Sequence, residues 1–148
     1  MRFSIAAALA LGAASSTHAQ DLATATPIAG NWTYAAASDG SEAVFTNAGG
    51  NPQLWLHCAR ATRRVSIAKA ASAAAPFVSV WTTALTQTVP SSFNPVTGRL
   101  TIDLAAADPL LDGIASSRGR IGFTVTGQPP LVVPAWAEAA RVIEDCRG

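Results

Sequence analysis

Short stretches of strict alternation between apolar and polar residues, each closed by a turn signal, constrain this chain more than any other feature. In Gln53–Cys58 the apolar Leu54, Leu56 and Cys58 point one way, while Trp55 and His57 point the other. Arg64–Ala68 repeats the pattern with Val65 and Ile67, Arg99–Leu104 with Leu100, Ile102 and Leu104, and Ile121–Thr126 with Ile121, Phe123 and Val125. A period of two belongs to a strand with one buried face. Asn31–Ala36 and Glu42–Thr46 flank Ser38-Asp39-Gly40, a hairpin-type turn. Leu131–Val133 follows the turn Gly127-Gln128-Pro129-Pro130, and Asn94–Gly98 turns the chain into Arg99. Phe77–Thr83 is apolar on both faces, as a central strand should be, and the alanine-rich Ala68–Pro76 leads into it.

Two segments depart from this rhythm. Asp108–Ala115 places an N-capping Asp108 before Pro109 at the first helical position, so it reads as a short helix of about two turns that Gly113 weakens. In Ala135–Cys146, Trp136, Ala140, Ile143 and Cys146 recur at helical spacing. Glu138 lies near the positive end of that helix dipole and Arg147 near the negative end. The expected fold is α+β and β-rich: an antiparallel β-sandwich or partly closed barrel of about seven or eight strands, with a short helix and a docked C-terminal helix. Residues 31–148 form this single domain, and residues 20–30, small and polar, form a flexible N-terminal arm.

The first residues have a different purpose. Arg2, the apolar run Ile5–Leu11 and the small residues around Thr17-His18-Ala19 occur in the order of a secretory leader. Residues 1–19 are therefore expected to be a signal peptide, and the mature protein to be periplasmic or secreted. The apolar run is too short to span a bilayer, so no membrane span is expected after cleavage. Of 10 basic residues Arg2 leaves with the leader, bringing the rest level with the 9 acidic ones. A net charge near zero argues against nucleic acid and polybasic membrane-surface functions. Both Cys58 and Cys146 survive processing, and an even pair in an oxidising compartment reads as a disulfide. Closing a loop of roughly 90 residues contributes at most roughly 4–5 kcal/mol. Cys58 lies on a strand's inward face and Cys146 on the helix stripe, a geometry that suits a bond between them.

Candidate chemistry is sparse. Ser117, Arg118 and Arg120 in Ser116-Ser117-Arg118-Gly119-Arg120 could present guanidinium and backbone donors to an anionic ligand. The competing expectation is that both arginines share a face and pair with Asp112, Glu138, Glu144 or Asp145 to fix the helices. Asp108 and Asp112 share a helix face, but Asp108 is explained as a cap. His57 is the sole histidine beyond the leader and has no local partner at metal-ligand spacing, so it reads as a half-buried or surface strand histidine. Nothing resembles a nucleophile elbow. Trp32, Trp55 and Trp81 fall in strands and Trp136 in the helix stripe, so most are expected in the core. No catalytic residue, metal site or cofactor is assigned.

The tail carries a resemblance. Ala107-Asp108-Pro109-Leu110-Leu111-Asp112, Ser117-Arg118-Gly119-Arg120, Leu131-Val132-Val133-Pro134-Ala135-Trp136-Ala137-Glu138 and Ala140-Arg141-Val142-Ile143-Glu144-Asp145-Cys146-Arg147 resemble an uncharacterised family of small exported alphaproteobacterial proteins. The likeness extends over roughly residues 30–148 through Trp32 and the L-x-L-x-C strand of Leu54, Leu56 and Cys58. This chain has Ser116 where members often carry Phe. The resemblance implies export and one domain, and no activity. A fainter likeness through Trp32 and the same strand is to periplasmic accessory proteins of secretion or invasion systems.

The functional expectation is an exported, non-catalytic protein binding an unidentified envelope component or protein partner. The alternatives are a small periplasmic hydrolase and an accessory protein of a secretion system. A deep pocket collecting His57 or two carboxylates would favour the hydrolase, and flat faces over a filled core the binder.

Overall fold

Consecutive hairpins build the larger of two antiparallel sheets in the computed structural model, which describes residues 21–148; the expected signal peptide lies outside the described residues. In chain order the elements are β1 (Gly30–Ala37), β2 (Gly40–Asn47), β3 (Pro52–Ala59), β4 (Arg64–Ala70), β5 (Phe77–Trp81), β6 (Thr86–Pro90), β7 (Ser92–Asn94), β8 (Arg99–Ala105), α1 (Pro109–Ser116), β9 (Arg120–Thr124), β10 (Leu131–Pro134) and α2 (Ala137–Arg147). The larger sheet runs β1-β2-β3-β4-β8-β7, and the smaller runs β10-β9-β5-β6. The two sheets and the C-terminal helix enclose the core as a sandwich, and among the described residues neither sheet closes into a barrel.

Alternation decides which face is buried. Trp32, Ala43, Phe45, Leu54, Leu56, Cys58, Val65, Ile67, Leu100, Ile102 and Leu104 all lie on the inner side of the larger sheet. They meet Val78, Val80, Ile121, Phe123, Leu131 and Val133 of the smaller sheet in one continuous core. Burying each such large side chain contributes about 1.5–3 kcal/mol. Trp32 packs edge-on against Phe45, with ring centroids 5.5 Å apart, and its indole N–H donates to the Pro134 carbonyl at 2.8 Å.

The helices close the ends of this core. Asp108 caps α1 by accepting the Leu110 N–H at 2.8 Å, ahead of Pro109 in the first turn. α2 packs on β1, β2, β3 and β4. The disulfide joins Cys58 on β3 to Cys146 on α2, with Cα atoms 5.5 Å apart, a separation ordinary for such a bond.

Several expectations need correction. Among the described residues there are ten strands. β6 escaped notice because its sequence TQTVP buries only Val89 on an edge, and β7 has only three residues. β5 is central in its sheet, but it ends at Trp81 and leaves Phe77 exposed. α2 begins after Trp136, whose extended backbone puts the indole at the helix mouth, 46% exposed. The buried stripe is therefore Ala139, Val142, Ile143 and Cys146, spaced i, i+3, i+4, i+7. Of the four tryptophans, only Trp32 is buried in the core. The segment before β1 has contacts with the smaller sheet, which leave its expected flexibility untouched: the Ile28 N–H donates to the Val132 carbonyl at 2.9 Å, and Leu22 covers Gly122.

Candidate functional site

The outer face of the larger sheet is where strand register gathers chemistry from distant positions. Cross-strand pairing sets Glu42, His57, Ser66 and Asp103 in one row, and Val44, Trp55, Ala68, Thr101 and Ser92 in the next. Arg99 opposes Ala70 on one side and Asn94 on the other. The alanines on β4 leave a trough between β3 and β8, and Arg99 lies across it with its guanidinium 3.6 Å from the centre of the Trp55 ring. A cation–π contact this close restrains the guanidinium over the ring. The Arg99 Nε is buried without an acceptor, and no carboxylate among the described residues forms an ion pair with it. Glu42, Trp55, His57, Ser66, Asn94 and Arg99 are among the residues around a recess of about 280 Å³.

His57 is a strand histidine, half-buried as expected, but it has partners. Its Nε2 lies 2.9 Å from Asp39 Oδ2, and its Nδ1 lies 3.7 Å from Glu42 Oε2. Asp39 sits in the β1–β2 turn and Glu42 opposes His57 in the register. The hydrogen bond from His57 holds the Asp39 carboxyl below the usual carboxylate range, even though Asp39 is open to solvent. Beside this cluster Arg64 grips Asp103 through Nε at 2.9 Å and Nη2 at 2.6 Å.

The residues singled out in the sequence are placed elsewhere. Gly119 takes φ +79°, so the alternation that would align Arg118 with Arg120 does not run through it. The Ser117 hydroxyl donates to the Arg120 carbonyl at 2.6 Å and accepts the Thr83 N–H at 3.2 Å. Arg120 donates through Nη1 to the Ala25 carbonyl at 2.6 Å, tying down the segment before β1. Arg118 is exposed on the loop. Neither arginine pairs with the helix carboxylates: Arg147 takes Asp112 at 2.7 Å and Glu144 at 3.4 Å, and the Glu138 Oε2 is buried without a hydrogen-bond partner. Asp145 accepts the Tyr34 hydroxyl at 2.6 Å. The expectation that Arg118 and Arg120 anchor the helix tail is thereby overturned.

Sequence reasoning also missed Lys69. It is the only lysine of the chain, it faces inward between Leu54 and Leu100, and it is 7% exposed. Its amine donates to the Ala70 carbonyl at 3.0 Å, and burial pushes its pKa down. The signal was present: a lone lysine in phase with Val65 and Ile67. Among the described residues no group of three or more His, Cys, Asp or Glu side chains could hold a metal ion, and no helix is long and apolar enough to cross a membrane. No family model, curated protein or solved structure matches the chain.

Proposed function

We propose that this chain is an exported, non-catalytic binding protein whose outer sheet face takes a negatively charged component of the cell envelope. One observation carries the reading: Arg99 is stacked on Trp55, with no carboxylate partner among the described residues and its Nε without an acceptor. A guanidinium fixed this way needs little further ordering to accept a carboxylate or phosphate edge. The hydroxyls of Ser66 and Thr101 and the amide of Asn94 line the same recess. The Cys58–Cys146 bond suits an oxidising compartment, as the leader-like first residues require.

A hydrolase is the second reading, because the recess collects His57, Glu42 and Ser66. The His57 Nε2 is hydrogen-bonded to Asp39, however, and neither ring nitrogen is hydrogen-bonded to the Ser66 hydroxyl, the contact that would activate a nucleophile. The Asp39 side chain is 57% exposed, unlike the buried carboxylate that orients a catalytic histidine. These features favour binding over turnover.

Immobilised acidic envelope fractions test the proposal. Wild-type protein and Arg118→Ala are expected to be retained, and Arg99→Ala to elute early with an unchanged melting temperature. Equal retention of Arg99→Ala and wild type would remove the outer face as the contact surface. Ester or glycoside turnover that is lost in His57→Ala would favour the hydrolase.

A further inference from the structure

Lys69 points inward from β4, on the opposite face of the larger sheet from Arg99. It lines a cleft of about 540 Å³ together with Ile28, Gln53, Gln128, Pro130 and Leu131. Its remaining walls are mainly small or apolar residues. Lys69 is more than nine-tenths buried. A lysine ammonium has three donors, and one is used, toward the Ala70 carbonyl at 3.0 Å. No carboxylate among the described residues pairs with it. A methionine would fill this place between Leu54 and Leu100 without any desolvation penalty, whereas a buried amine with unused donors incurs one.

We propose that this cleft binds a small amphiphilic carboxylate, with its anionic head on the Lys69 amine and its hydrocarbon body against Ile28, Pro130 and Leu131. A single cation suits a monoanion: among the described residues no arginine lines the cleft, so a phosphate dianion would remain half-neutralised in a weakly polar setting. Gln53 and Gln128 each donate one amide hydrogen to a backbone carbonyl, of Asn51 and Ala73 respectively. Each keeps a second amide hydrogen for a carboxylate oxygen. Burial lowers the amine's pKa, and an anion held against it acts in the opposite direction, favouring the charged form. The site is independent of the outer face and stands or falls without it.

Octanoate is a suitable probe, with octanol as its uncharged counterpart and inorganic phosphate as the competing anion. Calorimetric titration is expected to give saturable octanoate binding to the wild type. That binding should weaken by roughly 10–100-fold in Lys69→Met, the span of a charge-assisted hydrogen bond, and octanol should bind both proteins weakly. Reductive methylation gives a second readout, since Lys69 carries the only side-chain amine and mass spectrometry separates it from the N-terminal amine. Octanoate is expected to slow methylation of Lys69, whereas phosphate is not. Equal octanoate affinity in wild type and Lys69→Met would overturn the proposal. So would the absence of saturable binding, or equal protection by phosphate. If Lys69→Met does not fold, protection of the wild-type amine decides alone.

Discussion

The phenol of Tyr34 on β1 donates a 2.6 Å hydrogen bond to Asp145 on α2, joining the first strand to the last helix across 111 residues. Arg141 lies 3.9 Å over the same ring, so one aromatic side chain engages a carboxylate at its tip and a cation on its face. The hydrogen bond from Tyr34 holds the Asp145 carboxyl below the usual range, opposed by partial desolvation and helped by Arg141 and Arg60 nearby. A carboxyl whose folded pKa is depressed adds stability above its unfolded value, and that stability is lost as pH falls through the folded one. Tyr34→Phe is therefore expected to lower stability at neutral pH by about 1 kcal/mol, the solvent-screened end for such a bond. Melting curves of the two proteins should converge as acid protonates Asp145. A gap that persists at low pH would assign the effect to packing instead.

Reducing the Cys58–Cys146 bond should have the largest effect of any single change. Cys58→Ala releases a constraint spanning 88 residues, at an expected loss of at most roughly 4–5 kcal/mol. Denaturant midpoints of oxidised, reduced and Cys58→Ala protein measure this. Cys58→Ala should also expose one titratable thiol at Cys146, where the oxidised wild type shows none. Equal midpoints in all three would mean that the bond constrains nothing.

Gly113→Ala should destabilise, although alanine is the better helix former by about 1 kcal/mol. An added Cβ would lie 2.8 Å from the Thr82 Oγ1 and 3.4 Å from Leu85. That hydroxyl cannot step aside easily, because it donates to the Leu85 carbonyl at 2.8 Å and accepts the Leu85 N–H at 3.1 Å. The expected net loss is roughly 1–3 kcal/mol, as for other overpacked sites. A rise in melting temperature would show that the turn gives way freely.

The Asp39–His57 pair makes a prediction free of any stability measurement. Carboxyl titration by NMR should place the Asp39 inflection below the ordinary aspartate range. In His57→Ala it should return to that range, because the hydrogen bond from His57 is the leading cause of the shift. An unchanged Asp39 titration in His57→Ala would assign the shift to the turn backbone.

Elements whose pattern is local were legible. The alternation in β3, β4 and β8, the Asp108-Pro109 start of α1 and the pairing of the two cysteines each depend on neighbours in the chain or on the compartment. β6 was not legible, because a polar edge strand with one buried valine carries no periodic signal. Trp136 misled because a cap residue and a first-turn residue differ in backbone angle, not in spacing. The site was less readable still. Arg99 meets Trp55 over β4, and His57 meets Asp39 and Glu42 from a preceding hairpin, contacts that register creates and composition does not reveal. The SRGR run stood out in the sequence because its charges are adjacent, yet Ser117 and Arg120 serve the backbone around them.

β1 to β4 form a meander whose hairpin turns are only a few residues long, whereas α2 arrives at β3 from 88 residues away. Closing so distant a contact costs roughly 2–3 kcal/mol more in chain entropy than closing a tight turn. The meander is therefore expected to assemble early and to present a half-covered apolar face, on which the smaller sheet and α2 then settle. Before oxidation that last step is a long-range search, repeated at every opening. Once the sulfurs are joined, a helix that lifts off remains leashed to β3 and its return spans only a few residues. Hydrogen exchange should register the change as slower amide turnover in α2 and β1 of the oxidised protein, with the β2–β3 hairpin nearly unaffected.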